Sequence, residues 1–90
     1  KMNKKNYDDR IIYVNDNDSV VAEIDFPRTS VNEITITHTF VDSSLRGQGI
    51  AKKLVEEVIS IAQKEKYKIR ATCSYAIRYF HDNKVDIYLD

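Results

Sequence analysis

The sequence is poor in the residue types that build disulfides, metal centres and membrane spans. Its single cysteine excludes an intramolecular disulfide, and its two histidines lie too far apart in the chain to indicate a metal cluster. The 14 basic and 14 acidic residues cancel, which argues against nucleic acid or an anionic membrane as the main partner. No apolar run approaches the ~20 residues of a membrane span. The polar N-terminus lacks the apolar region of a signal peptide, so a cytoplasmic location is expected.

Hydrophobic periodicity predicts a single α/β (α+β) domain over residues 1–90, of which the polar residues 1–9 are expected to be flexible. The first three predicted strands should form an antiparallel meander. The predicted elements are strands over 10–14, 20–26 and about 33–41, a main helix over 49–65, a strand over 67–73, a short helix over 75–82 capped by Ser74, and a last short strand over 84–89.

The strand–helix–strand unit predicts how the sheet is arranged. Because helix 49–65 joins strands 33–41 and 67–73, these strands should be parallel neighbours with the helix over their apolar face. The expected fold is therefore a mixed, mostly antiparallel sheet with one main helix packed on one face. Strict alternation places under the helix Ile34, Ile36, Ile69 and Ala71. The opposite, accessible face should carry Thr35, Thr37, Thr39, Lys68, Arg70 and Thr72.

Both glycines of the chain, Gly47 and Gly49, lie where the third strand ends and the main helix begins. The first amides of a helix lack partners and its dipole is positive there, so glycines at this point let an anionic phosphate approach the backbone. Arg46 adds a permanent positive charge. Two common phosphate loops are excluded. No hydroxyl follows Lys52 and Lys53, as G-x-x-x-x-G-K-[ST] requires, and position 52 is not the third glycine of G-x-G-x-x-G.

What remains is R-x-x-G-x-A, which begins at Arg46 and has a strand before it and a helix after it. This pattern resembles [QR]-x-x-G-x-[GA], the pyrophosphate motif of the GNAT superfamily of acyl-CoA-dependent N-acyltransferases, over roughly residues 34–80. His38-Thr39, R-G-Q-G and Cys73-Ser74-Tyr75 are most similar to a compact, stand-alone GNAT-like subfamily. The resemblance implies a minimal GNAT-like fold that binds acetyl-CoA. The implied cofactor-binding residues are Phe40, Val41, Arg46, Gly47, Gln48, Gly49, Ile50 and Ala51.

The residue that usually acts as general acid in this family is missing from the sequence. When Ala76 is aligned with the family pattern N-x-x-A-I-x-x-Y, Cys73 stands at the asparagine and Phe80 at the tyrosine that often protonates the leaving thiolate. One hypothesis makes Cys73 a nucleophile that accepts the acetyl group, with His38 as its base if a bulge turns that side chain outward. The alternatives are that Cys73 packs as a small apolar residue and that His38 is a hydrogen-bonded core histidine.

The expected function is transfer of an acetyl group from acetyl-CoA to an amine, which is either a small molecule or a protein lysine. The alternative is a non-catalytic acyl-CoA-binding module, and a third reading is a small interaction domain whose loop stays empty. An exposed edge strand is compatible with a monomer or a weak homodimer.

Overall fold

Two small sheets and two helices are formed by residues 1–90, as described by a computed structural model. The strands are β1 (Asn3–Asn6), β2 (Arg10–Val14), β3 (Val20–Asp25), β4 (Arg28–Ser30), β5 (Glu33–Ile36), β6 (His38–Val41) and β7 (Lys68–Ala71). The helices are α1 (Ile50–Glu65) and α2 (Ser74–Asp82), with a short 3₁₀ turn at Ser43–Leu45 before α1.

The larger sheet has the strand order β1-β2-β3-β6 and is antiparallel throughout, whereas the smaller sheet has the order β4-β5-β7. In the smaller sheet β4 and β5 are antiparallel, but β5 and β7 run parallel, with Ile34 opposite Ile69 and Ile36 opposite Ala71. The chain between these two parallel strands contains α1, as a parallel connection requires. The prediction of a mixed, mostly antiparallel sheet with a parallel pair joined by the main helix is confirmed.

The polar N-terminus contains a strand, so the expectation that residues 1–9 are flexible is wrong for residues 3–6. Strand β1 pairs with β2 from Asn3 opposite Val14 to Asn6 opposite Ile11. Lys4 also reaches Glu57 of α1, and this hydrogen bond raises the pKa of Lys4. All four residues of β1 are exposed, so backbone pairing and not apolar burial holds the strand in place. Composition carries no signal for such a strand.

The stretch predicted as one strand over residues 33–41 is divided between the two sheets at Thr37. Strand β5 pairs with β7, whereas β6 pairs with β3. The Thr37 amide donates to the Asp25 carbonyl over 3.0 Å, and His38 is also opposite Asp25. Thr37 and His38 therefore both lie opposite the single residue Asp25, and this extra residue makes a β-bulge. A single extra residue reverses the alternation of side chains beyond it.

This reversal corrects part of the predicted row of accessible threonines. Beyond the bulge, Thr39 and Val41 turn toward the core side and Phe40 turns outward. Thr35 is also buried, and its hydroxyl is hydrogen-bonded with that of Thr29 at 2.7 Å. The residues that follow the prediction are the buried Ile34, Ile36 and Ile69, the partly buried Ala71, and the exposed Thr37, Lys68, Arg70 and Thr72.

Helix α1 forms one wall of the core. Its buried residues are Ile50, Leu54, Val55, Val58, Ile59 and Ala62, which pack in one cluster with apolar residues of both sheets. Helix α2 adds Phe80, whose ring stacks on Tyr88 at 4.2 Å. After α2, only a single parallel bridge between Tyr88 and Ile69 remains of the last predicted strand. Neither helix combines the length and apolar character needed to cross a membrane.

The packing of α1 predicts that two helical isoleucines differ in how much they contribute to the free energy of unfolding. Ile59 is 9% exposed in the core, whereas Ile77 of α2 is 45% exposed. Ile59→Ala should lower the free energy of unfolding by about 2–5 kcal/mol, because it removes a buried side chain and leaves a cavity. The matched control Ile77→Ala makes the same chemical change in a helix and should cost less than about 1 kcal/mol. Urea unfolding measures both, and equal losses would contradict the assigned core.

Candidate functional site

The loop before α1 depends on two glycines in left-handed backbone conformations. Gly47 has φ +82° and Gly49 has φ +74°, a region that side chains with a Cβ rarely adopt. A Cβ built on either glycine would meet no protein atom within 4 Å. The constraint that selects glycine inside the protein is therefore the backbone conformation and not crowding. The space in front of both residues is open.

Six consecutive amides of this loop and of the first turn of α1 have no hydrogen-bond partner in the protein. The first helical bond runs from Lys53 N to Gly49 O, over 3.1 Å, and no acceptor lies in reach of the amides of residues 47–52. The N-cap Gly49 has no side chain that could satisfy them, and the first turn of α1 contains no acidic residue. Unpaired amides at the positive end of a helix dipole are suited to an anion.

These amides border a cleft of about 360 Å³ between β6, α1 and α2. Of the eight cofactor-binding residues predicted from the sequence, the cleft is lined by six: Val41, Arg46, Gly47, Gly49, Ile50 and Ala51. The residues that the prediction did not include are Thr39, Leu45, Lys52 and Tyr75. With Arg46 and Lys52 both on its wall, the cleft is positively charged.

Two predicted cofactor-binding residues have side chains outside this cleft. Phe40 lies opposite Glu23 in the sheet and is 39% exposed, because the bulge turned it away from the core. Gln48 lines a separate hollow beside Met2 and Lys4. For these two residues the prediction is corrected at the level of the side chain. The amide of Gln48 is still one of the six without a partner.

Cys73 lies beside the cleft and forms the N-cap of α2, a role that the sequence predicted for Ser74. Its Sγ accepts a hydrogen bond from the Ala76 amide at 3.4 Å. The same sulfur lies 3.3 Å from Oγ1 of Thr39, which lines the cleft. Cys73 is half-buried and makes no disulfide. The structure thus brings a thiol, a hydroxyl and a helix N-terminus together.

His38 does not take part in this group. Adjacent residues of a strand point to opposite faces, so His38 lies across β6 from Thr39. It is exposed and stands opposite Asp25 of β3. A bulge does turn His38 outward, so the alternative of a core histidine is wrong, and the turn takes His38 away from the side on which Thr39 meets Cys73. The pairing of His38 with Cys73 as base and nucleophile is therefore corrected.

A pair of carboxyl groups lies near His38 on the outer face of the larger sheet. The pKa of Glu23 is raised, first by a hydrogen bond with Asp25 and then by burial, while Arg10 and His38 act in the opposite direction. Arg10 approaches Glu23 at 4.0 Å. The Oδ1 of Asp25 is buried and has no hydrogen-bond donor from the protein.

Tyr75, which the cofactor-site prediction did not include, also lines the cleft. Burial and the nearby Glu56 carboxylate raise its pKa, so the phenol is protonated at neutral pH. The available signal was its place in the first turn of a helix that follows a parallel strand, since such turns face the cleft at the carboxyl ends of strands. Thr39 was missed for another reason. Strict alternation assigned it to the wrong face.

Comparison with protein families gives one match that covers most of the chain. The model of the family described as GCN5-related N-acetyl-transferase matches residues 10–89. Protein NATD1 of Mus musculus is 33% identical over 57 residues, which are 63% of this chain and 52% of that protein. Protein NATD1 of Homo sapiens gives the same identity over 50% of its length. The chain thus spans about half the length of these relatives.

Solved structures share this fold. The solution NMR structure of a GCN5-like protein from Staphylococcus aureus is 35% identical, with a TM-score of 0.78, and the match covers 97% of this chain and 87% of that one. The crystal structure of the GNAT family N-acetyltransferase YhbS from Escherichia coli, in complex with CoA, has a TM-score of 0.63 at 20% identity. That match covers 78% of this chain and 42% of YhbS.

The carboxyl pair on the outer face predicts how stability depends on pH. Because the pKa of Glu23 in the folded protein lies above its usual 4.5, its contribution to stability is complete below pH 4.5 and is lost as the pH rises through the folded-state value. Glu23→Gln should therefore reduce the loss of unfolding free energy between pH 4.5 and 7. Asp25→Asn removes the largest cause of the shift and should have the same effect. Urea titrations at several pH values measure this. The prediction is contradicted if both variants show the same pH dependence of unfolding free energy as the unmodified protein.

Proposed function

The chain belongs to the GCN5-related N-acetyltransferase family, and on this premise we propose that it binds acetyl-CoA in the cleft and transfers the acetyl group to an amine. The observation that carries the proposal is the row of six amides without partners, residues 47–52, at the N-terminus of α1. That YhbS holds CoA on the same fold supports the choice of ligand.

The pyrophosphate of the cofactor would lie against these amides. Its charges meet the positive end of the α1 dipole, and Arg46 and Lys52 on the cleft wall supply side-chain donors. Gly47 and Gly49 have only hydrogen where other residues carry a Cβ, so the phosphate oxygens can reach the backbone. The neighbouring Asp42 is turned to its own loop, because the Ser44 hydroxyl and amide donate to its carboxylate and lower its pKa.

The pantetheine arm would follow the free edge of β6. The Asp42 amide donates to the Val21 carbonyl of β3, so the two-residue alternation of an antiparallel ladder directs the amide of Phe40 toward β3 as well. The amides of Thr39 and Val41 then point away from β3 into the gap beside β7. An extended chain with amide groups, such as pantetheine, can pair with this edge as an added strand would.

We place Cys73 as the residue that first receives the acetyl group. Its thiolate attacks the thioester carbonyl carbon, the carbon–sulfur bond to CoA breaks, and the electron pair leaves with the CoA sulfur, which takes a proton from water. A neutral amine then attacks the S-acetyl carbonyl and expels the Cys73 thiolate, and the amine releases its proton to water. This route suits the position of Phe80, which is buried against Tyr88 and has no proton to donate.

The acceptor is proposed to be an amine of a small molecule or of a protein, as the family name N-acetyltransferase implies. A binding module without turnover would use the same loop and the same edge of β6. The two functions differ only in whether thioester is consumed, so binding and turnover are tested separately.

Binding is tested by titrating acetyl-CoA while recording backbone amide NMR shifts. The largest shifts are expected at residues 46–52 and along Thr39–Val41. Arg46→Gln should weaken binding about tenfold, because it removes a charged donor from the pyrophosphate. The control Arg78→Gln changes an arginine of α2 that is paired with Asp82 at 3.1 Å, and should leave affinity unchanged. No shift in the loop at millimolar acetyl-CoA would overturn the cofactor assignment.

Turnover is tested by mass spectrometry after acid quenching of the protein incubated with acetyl-CoA. An acetyl group is expected on Cys73 and should be absent from Cys73→Ser, in which the hydroxyl keeps the N-cap of α2 but is a far weaker nucleophile. If acetyl-CoA binds and is consumed without this adduct, the amine attacks the thioester directly. If it binds and is never consumed with a panel of amines, the protein is a binding module.

A further inference from the structure

We propose that Thr39 is the positioning residue for the Cys73 thiol, and that the bulge at Thr37–His38 is what places it there. The inference rests on the proposed function, in which Cys73 reacts with the acyl group of the cofactor. It assigns to Thr39 the supporting role that the sequence pattern gave to His38.

The Cys73 sulfur is held from two sides. The Thr39 hydroxyl lies 3.3 Å from Sγ on the β6 side, and the Ala76 amide donates to Sγ at 3.4 Å from α2. Both distances are within the range for hydrogen bonds to sulfur, so the side chain has one preferred direction. Thr39 and Cys73 are both half-buried, and Thr39 lines the cleft in which the acyl group would lie.

The bulge is required for this contact. In an unbroken strand the buried Ile34 and Ile36 would be followed on the same face by residues 38 and 40, and Thr39 would point to the opposite face. With Thr37 and His38 both opposite Asp25, the alternation shifts by one residue and Thr39 comes to the side of Cys73. The bulge therefore places the Thr39 hydroxyl, instead of the His38 imidazole, on the side of Cys73.

A hydroxyl in this position has a definite effect on the thiol. Thr39 Oγ1 and the Ala76 amide can both donate to a thiolate, and hydrogen bonds to an ionised group are stronger than those between neutral groups. A side chain fixed by two donors also spends more time in the direction that reaches the cleft. Removing the Thr39 hydroxyl should therefore slow the reactions of Cys73 without changing how the loop at 46–52 binds phosphate.

The test measures how fast iodoacetamide alkylates Cys73 at pH 7.5, which reports on a single residue because the chain has one cysteine. Thr39→Val replaces the hydroxyl with a methyl group of similar size and should slow alkylation about tenfold. Thr39→Ser keeps the hydroxyl and should stay within about threefold of the unmodified protein. The control Thr29→Val also removes a hydrogen-bonded hydroxyl, the partner of Thr35, but in β4 and outside the cleft, and should react at the unmodified rate.

The same variants are then followed for S-acetylation of Cys73 by acetyl-CoA and for acetyl-CoA affinity by NMR. The expected result is slower acetylation in Thr39→Val at saturating acetyl-CoA, with the amide shifts of residues 46–52 on binding the same as in the unmodified protein. The inference is overturned if Thr39→Val is alkylated at the unmodified rate, if Thr39→Ser is as slow as Thr39→Val, or if His38→Asn slows alkylation as much. Because alkylation needs no cofactor, a protein that never forms the acetyl adduct would refute the proposed relay and still decide the role of Thr39.

Discussion

The division of residues 33–41 between two sheets is the constraint on which the rest of the structure depends. Strand β5 pairs with β7, whereas β6 pairs with β3. The chain must therefore separate from β7 within one residue of Ile36. The Ile36 carbonyl ends the parallel ladder by accepting from both the Thr72 amide at 3.0 Å and the Cys73 amide at 3.3 Å. Beyond Ile36, the side chains of Thr39 on β6 and of Cys73 after β7 contact each other across the gap. A cleft between strands follows directly from giving one segment two pairing partners.

Helix α1 owes its position to the same arrangement. Its apolar stripe packs against residues of both sheets, which fixes the start of the helix, and therefore the loop at Gly47 and Gly49, at the mouth of the cleft. An anion site made of backbone amides needs such support, because amides can stabilise charge only when they are held in place before the ligand arrives. The zero net charge of the chain hides an uneven distribution: Arg46 and Lys52 face the cleft, while the Glu23–Asp25 pair lies on the outer face of the sheet.

The candidate reactive groups lie where β6 and β7 end and α2 begins. Strand β6 contributes Thr39, the connection after β7 contributes Cys73, and the first turn of α2 contributes the Ala76 amide and the Tyr75 side chain. The cysteine is thereby both the cap of a helix and the residue nearest to a threonine of another strand. The hypothesis from the sequence paired Cys73 with His38, whereas the structure places the thiol beside Thr39, 34 residues earlier in the chain. Contacts of that kind are set by sheet pairing.

The sequence by itself determined the features whose causes are local. The spacing of Arg46, Gly47, Gly49 and Ala51 fixed the loop, and the connection through α1 required β5 and β7 to be parallel. Tertiary structure alone decided that residues 3–6 form a strand, that Thr37 begins a bulge, and that Thr39 rather than His38 meets Cys73. The physical reason is that backbone pairing between distant strands makes no demand on side-chain pattern, while a shift of one residue in that pairing turns every following side chain to the other face.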